Sequence, residues 1–352
     1  MLHLFASYDY EIFLSGLHAS EEKVLIEPTS KILDIYREYR LKCTLFADVC
    51  SLIRYRQLGL LKFPKLAETQ LKQAVKEGHD VQLHIHPQWL VAKKQGHLWE
   101  FSDDDYRLET FVQKYPEWTL EKVFTKGTTY LSELLRSVDP QYACVAYRAG
   151  GFSVQPEKEI MQILKSKGIR IDSSVVLGSC HLGRFQHYDF RALPQKLGWH
   201  FSSSEGFDGQ ALSGRYDMFE IPMAGVKPGI TKVILKLKGR QFPDNHMLGI
   251  SAGETKQSKW QWLCDHIKRF CSETCMLSFD GWDCESMLWI LKHVLKNHDI
   301  EREDLYLAIL GHPKLQNQAL LDQTKRFLEE IQIRYGKYVT FETMCQVFHN
   351  SK

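Results

Sequence analysis

Leu2-His3-Leu4-Phe5-Ala6-Ser7-Tyr8-Asp9-Tyr10-Glu11 is a short apolar run that ends on two carboxylates. Residues 2–8 are rich in apolar and aromatic side chains and read as a buried strand. Pro28 then opens a segment with Ile32, Leu33, Ile35, Tyr36 and Tyr39 at helical spacing, and residues 42–49 (KCTLFADV) return to strand character. That is one complete βαβ unit, and two strands joined by such a crossover run parallel. The alternation continues. Helices are expected over 66–76, 119–138 and 156–167, and strands over 81–85, 143–147 and 169–173, with later strands over 219–222, 275–279 and 305–310. The expectation is an α/β chain forming one (β/α) barrel domain over 1–352, with insertions near 88–117, 177–216 and 240–275. The first two insertions read as long loops that carry a binding surface.

The composition is that of an ordinary globular protein. With 352 residues, 44% hydrophobic and 25% charged, the chain can bury a large core. Lys plus Arg number 45 against 43 Asp plus Glu, a net charge of +2 that offers no electrostatic argument for nucleic acid or an anionic membrane. The N-terminus has no basic start and meets Asp9 before an apolar stretch reaches signal-peptide length. No window approaches ~18 uninterrupted apolar residues, so no stable membrane insertion is expected. Nine cysteines, odd in number and without CxxC spacing, fit a reduced, cytoplasmic setting. A four-thiolate zinc site from Cys264, Cys271, Cys275 and Cys284 is the alternative to incidental thiols. The basic stretch 227–240, with Val233, Ile234, Leu235 and Leu237, reads as a solvated amphipathic element in preference to a membrane-surface segment.

Side chains two residues apart on an extended segment point the same way, so Asp9 and Glu11 can share a cavity while Tyr10 turns into the wall. The same reasoning pairs His84 with His86 in GHDVQLHIHPQW, residues 78–89. One carboxylate and two imidazoles are a usual three-ligand set for zinc or a similar divalent ion, with a position left open for water. The second carboxylate is then free to act as a base. Taken singly, the acidic pair reads as a loop cap and the histidines as structural residues; the combination favours a metal site. Trp89, Trp99, Tyr106 and Trp118 offer either a sugar-stacking platform or the packing of an insertion. Asp280 and Asp283 in SFDGWD read as turn residues or as a further acidic group at the site.

These motifs resemble a known family. SYDYE at 7–11 resembles the first motif of the polysaccharide deacetylases of carbohydrate esterase family 4, and residues 78–89 resemble their histidine motif. Tyr147-Arg148-Ala149-Gly150-Gly151-Phe152 is similar to the arginine motif, Glu220-Ile221-Pro222 to a strand common in the group, and Leu310-Gly311-His312-Pro313 to the last motif. The five stand in family order. The resemblance implies a distorted (β/α)7 barrel and metal-dependent removal of an acetyl or similar acyl group from an amino sugar, in a poly- or oligosaccharide or its precursor. It implies Asp9 as general base, Glu11 and His84 as metal ligands, Arg148 as the group that orients Asp9 and keeps it ionised, and His312 as the acid that protonates the departing amine. Trp89, Gly150 and Gly151 would lie against a carbohydrate substrate, and zinc is the expected ion.

The chain also departs from the pattern. Gln88 stands four residues after His84 where the family has a second histidine, so the second nitrogen donor is His86, or the Gln88 amide substitutes. Gly150-Gly151 stand where Pro and Tyr are common, and the first motif lacks two adjacent aspartates. A hydrolase of a small non-sugar amide and a catalytically silent glycan-binding protein are the rival expectations.

Overall fold

The computed structural model describes residues 1–14, 19–96, 98–101, 107–183, 186–208, 216–227, 229–238 and 274–350. Seven strands form its centre: β1 Leu2–Tyr10, β2 Thr44–Asp48, β3 Asp80–Ile85, β4 Ala146–Ala149, β5 Ile171–Asp172, β6 Met218–Glu220 and β7 Leu305–Gly311. They run parallel in the order β6-β5-β4-β3-β2-β1-β7. Beyond β6, Met223 bridges Ala308 in β7, and the Ala308 N–H donates to the Pro222 carbonyl at 2.9 Å. The sheet therefore curls back on itself. With β5 and β6 only two and three residues long, the ring is irregular on that side, a distorted (β/α)7 barrel.

Strands covered on both faces read as near-continuous apolar runs, and eight of the nine β1 residues are buried. The helix Glu27–Glu38 carries Pro28 in its first turn and buries Ile32, Leu33, Ile35 and Tyr36, the helical stripe expected of it. Side-chain caps start four of the other helices: Asp48 caps Val49–Gln57, Thr119 caps Leu120–Leu135, Asp283 caps Cys284–Val294 and Asn317 caps Gln318–Tyr335. Asp283 is thus a turn and cap residue.

β4 begins three residues later than expected. The N–H groups of Val145 and Ala146 donate to the Gln82 side-chain oxygen at 2.8 and 2.9 Å, which diverts the chain from the sheet ladder until Ala146. The two expected loops contain regular structure: a hairpin of Lys93–Gln95 with Leu98–Glu100 and a helix Leu108–Lys114 in the first, a hairpin of Cys180–Leu182 with His187–Asp189 and the strand Trp199–Phe201 in the second. Three-residue strands are too short to show an alternating pattern in sequence. The basic amphipathic stretch forms the helix Ile230–Lys238. Nearly all of the expected insertion near 240–275 lies outside the described residues, as do Tyr106, Cys264 and Cys271, and with them the four-thiolate alternative. None of the seven described cysteines is in a disulfide. Among the described residues no helix is long and apolar enough to cross a membrane.

Candidate metal centre

The carboxyl ends of β1, β3, β4 and β7 bring together Asp9, Glu11, His84, His86, Arg148 and His312. Asp9 and Arg148 form its innermost pair. The Arg148 Nη1 donates to Asp9 Oδ1 at 2.8 Å, Nε to the Ser173 carbonyl at 2.9 Å, and Nη2 to the Ser7 and Ser173 hydroxyls at 2.8 and 3.0 Å. Its guanidinium carbon lies 4.2 Å from the centre of the Phe46 ring. Arg148 is fully buried. A buried cation is tolerable when it is paired and four of its five N–H donors are used in this way. Burial pushes the Asp9 pKa up, but Arg148, then His84 and His312, outweigh it and hold the carboxyl below its ordinary value. The other oxygen, Oδ2, lies 3.6 Å from His312 Nε2 and 3.9 Å from His84 Nε2.

Glu11, two residues on, shares the cavity as the spacing predicts. Its Oε2 lies 2.6 Å from His86 Nε2 and 3.4 Å from His84 Nε2, and its Oε1 accepts from Lys314 Nζ at 2.7 Å. Burial raises the Glu11 pKa, and the Lys314 ammonium followed by His86 more than offsets this, leaving it well below the ordinary carboxylate value. The His84 Nδ1 lies 2.8 Å from the Arg148 carbonyl oxygen, which can only accept. Nδ1 therefore carries a hydrogen, and Nε2 faces the carboxylates. Burial lowers the His84 pKa, while Asp9 and Glu11 raise it to about 9. The position between these groups thus attracts a positive charge, from a proton or from a metal ion.

The donor set fits a divalent ion. Nitrogen and oxygen atoms of Glu11, His84 and His86 lie within 4.8 Å of one another, and Asp9, Glu11 and His312 form a second such set. His84 Nε2 is buried with no hydrogen-bond partner, although Glu11 Oε2 stands 3.4 Å away. A buried polar atom left in that state is costly, and a cation between the two removes the cost.

His312, at the end of β7, is half of a second pair. Its Nδ1 and its backbone N–H donate to the two oxygens of Asp280, each at 2.7 Å, and the Gln316 side chain donates to Asp280 at 3.0 Å. Asp280 meets both readings, standing in a turn and adding an acidic group beside His312. Burial lowers the His312 pKa, and Asp280, then Asp9 and Glu11, raise it above the ordinary histidine value. Its Nε2 faces both Asp9 and Glu11 at 3.6 Å.

Gly150 lies directly behind His86. A Cβ there would stand 2.6 Å from the Ile85 carbonyl and 2.7 Å from His86 Nδ1, so only glycine permits this approach. Gly151 follows with a positive φ of 56°. Trp89 is a correction to the sequence reading: it is fully buried, with Tyr55, Trp99 and Phe101 packed around it at ring separations of 6.0, 5.0 and 4.8 Å. It presents no face for a sugar. Trp99 is buried in the same cluster, and Trp118 packs against the core.

Two further residues were not anticipated. Lys314 stands two positions after His312, in the helical turn Pro313–Leu315, where the two-residue period of a strand gives no direction. Asp48, at the end of β2, accepts from the His86 N–H at 3.3 Å and from the Cys50 N–H at 3.2 Å. Burial pushes its pKa up, and its second oxygen has no hydrogen-bond partner.

No family model matches the chain, and no curated protein does. Solved structures do. A probable polysaccharide deacetylase from Pseudomonas aeruginosa PAO1 superposes with a TM-score of 0.50 at 12% identity, over 99% of this chain and 90% of that one. Puue allantoinase gives 0.47 at 13% identity over 99% and 89%, and Bacillus subtilis PdaA, a family 4 carbohydrate esterase, gives 0.37 at 10% identity over 100% and 81%. The chain has the polysaccharide deacetylase fold.

Proposed function

We propose that the protein is a metal-dependent hydrolase that removes an acetyl or similar acyl group from an amino sugar of a poly- or oligosaccharide or its precursor, working in the cytoplasm. The observation that carries this reading is the convergence of three units on one cavity: the Asp9–Arg148 pair, the Glu11–His84–His86 donor set and the Asp280–His312 pair. Glu11, His84 and His86 would hold the ion, and zinc suits such a mixed nitrogen and oxygen set. Once bound, a divalent ion polarises the amide carbonyl and lowers the pKa of a bound water. Asp9, kept ionised by Arg148, takes a proton during attack. His312 gives a proton to the amine, which leaves poorly without one.

Asp280 sets when that proton is available. Its carboxylate raises the His312 pKa against burial, and the imidazole can donate only below that pKa. Asp280→Asn removes the raising charge, so the alkaline limb of kcat/KM against pH should move downward. An alkaline limb that stays in place would show that His312 is not the acid.

The primary test is acetate release from N-acetylated oligosaccharides by the purified chain loaded with zinc. Release should stop on chelation and return with the ion. A second reading, hydrolysis of a small non-sugar amide, is favoured by the burial of Trp89 and Trp99, which leaves neither ring as a stacking surface. Turnover of small ureides or imides without acetate release from any sugar would select it. Stoichiometric zinc binding with turnover of neither class would indicate a silent, glycan-binding protein.

A further inference from the structure

Three of the carboxylates at this cavity, Asp9, Glu11 and Asp280, are each met by a cationic or proton-donating side chain. Asp9 is met by the buried, immobile guanidinium of Arg148, and Asp280 by the His312 ring. Glu11 alone is met by a lysine, whose ammonium sits on Oε1 at 2.7 Å while Oε2 points to the two histidines. Lys314 lies in the short turn Pro313–Leu315 just beyond β7, and its side chain is 14% exposed, at the rim of the cavity. Its stem has four rotatable carbons, and the Phe13 ring lies 5.3 Å from Nζ on the outer side. The cation can therefore withdraw without moving the backbone of His312.

We propose that Lys314 is the internal counter-ion of Glu11, which neutralises the carboxylate while the site lacks a divalent ion and opposes that ion when it enters. The proposal rests on the metal-site reading above for the place of the ion. A bare carboxylate buried beside two imidazoles would cost the folded state heavily, and the ammonium removes that cost. A divalent ion on the same carboxylate then stands a few ångströms from a like charge, where repulsion is strong at the dielectric of a buried site. Ion entry therefore requires the ammonium to swing toward Phe13 or to be tolerated at a loss of affinity. The site is built to survive empty and to bind its ion less tightly than its ligands alone would.

The test is zinc affinity measured by competition with a chromophoric chelator, on the whole chain, for the wild type, Lys314→Met and Lys314→Arg. Lys314→Met should bind zinc at least tenfold tighter, and Lys314→Arg within about threefold of the wild type. In excess chelator Lys314→Met should melt below the wild type, and saturating zinc should raise its Tm by the larger amount. Equal or weaker zinc binding by Lys314→Met would overturn the proposal, because the ammonium would then be orienting Glu11 as a ligand. Absence of stoichiometric zinc binding in the wild type and both variants would remove the metal reading itself and this proposal with it.

Discussion

Asp9→Asn is expected to lower turnover by about 10²–10⁴-fold, the usual range for loss of a positioned general base. Asparagine keeps the shape of the side chain and can still meet Arg148 through its amide oxygen, so the fold should persist. What disappears is a carboxylate oxygen that faces both His84 and His312 while its partner oxygen is tied to a guanidinium. Zinc affinity should stay within a few-fold of the wild type if the ion rests on Glu11, His84 and His86, because Asp9 is not in that set. Steady-state kinetics alongside a zinc titration separates the two effects. Unchanged turnover would sink the assignment of Asp9 as base, and a collapse in zinc affinity would make Asp9 a ligand.

Arg148→Met should destabilise the protein by about 3–5 kcal/mol, the usual cost of removing one partner from a buried ion pair. Methionine fills part of the volume, but Asp9, Ser7 and Ser173 lose their donor in a region closed to water. The pH dependence follows from the sign of the Asp9 shift. In the wild type the Asp9 pKa is held below its ordinary value, so its contribution is present above the unfolded pKa and is lost as pH falls through the folded one. In Arg148→Met burial meets less opposition, the Asp9 pKa rises, and the stability deficit is largest near neutrality and shrinks on acidification. Denaturant unfolding at two pH values checks this. The double variant Asp9→Asn, Arg148→Met should recover part of the loss, because no bare carboxylate is left behind. An equal deficit at both pH values would assign the loss to packing instead of charge.

How much of this site could be read from the chain is clearest from its pairs. Asp9 with Glu11 and His84 with His86 were legible because a strand repeats every two residues, which fixes side-chain direction locally. The βα alternation likewise foretold the seven parallel strands, since a crossover helix leaves little choice of direction, whereas the expected strand 275–279 is realised only as Cys275–Met276, antiparallel to Gly225–Val226 outside the main sheet. The aromatic residues after His86 were read less well. A run of tryptophans looks the same in sequence whether it faces a ligand or packs upon itself, and here Trp89 and Trp99 pack upon themselves.

The sequence by itself determined the parallel α/β architecture, the directions of the paired ligands and the presence of acid, base and cation types suited to amide hydrolysis. Tertiary structure alone decided which of them meet. Arg148 reaches Asp9 from 139 residues away and Lys314 reaches Glu11 from 303, while Asp280 closes on His312 across 32. Periodicity carries information only along one element, whereas these contacts depend on the order of strands, which sets β7 beside β1, and on the curl that brings the segment beyond β6 back to β7. That curl is a property of the whole sheet, which no local stretch of sequence contains.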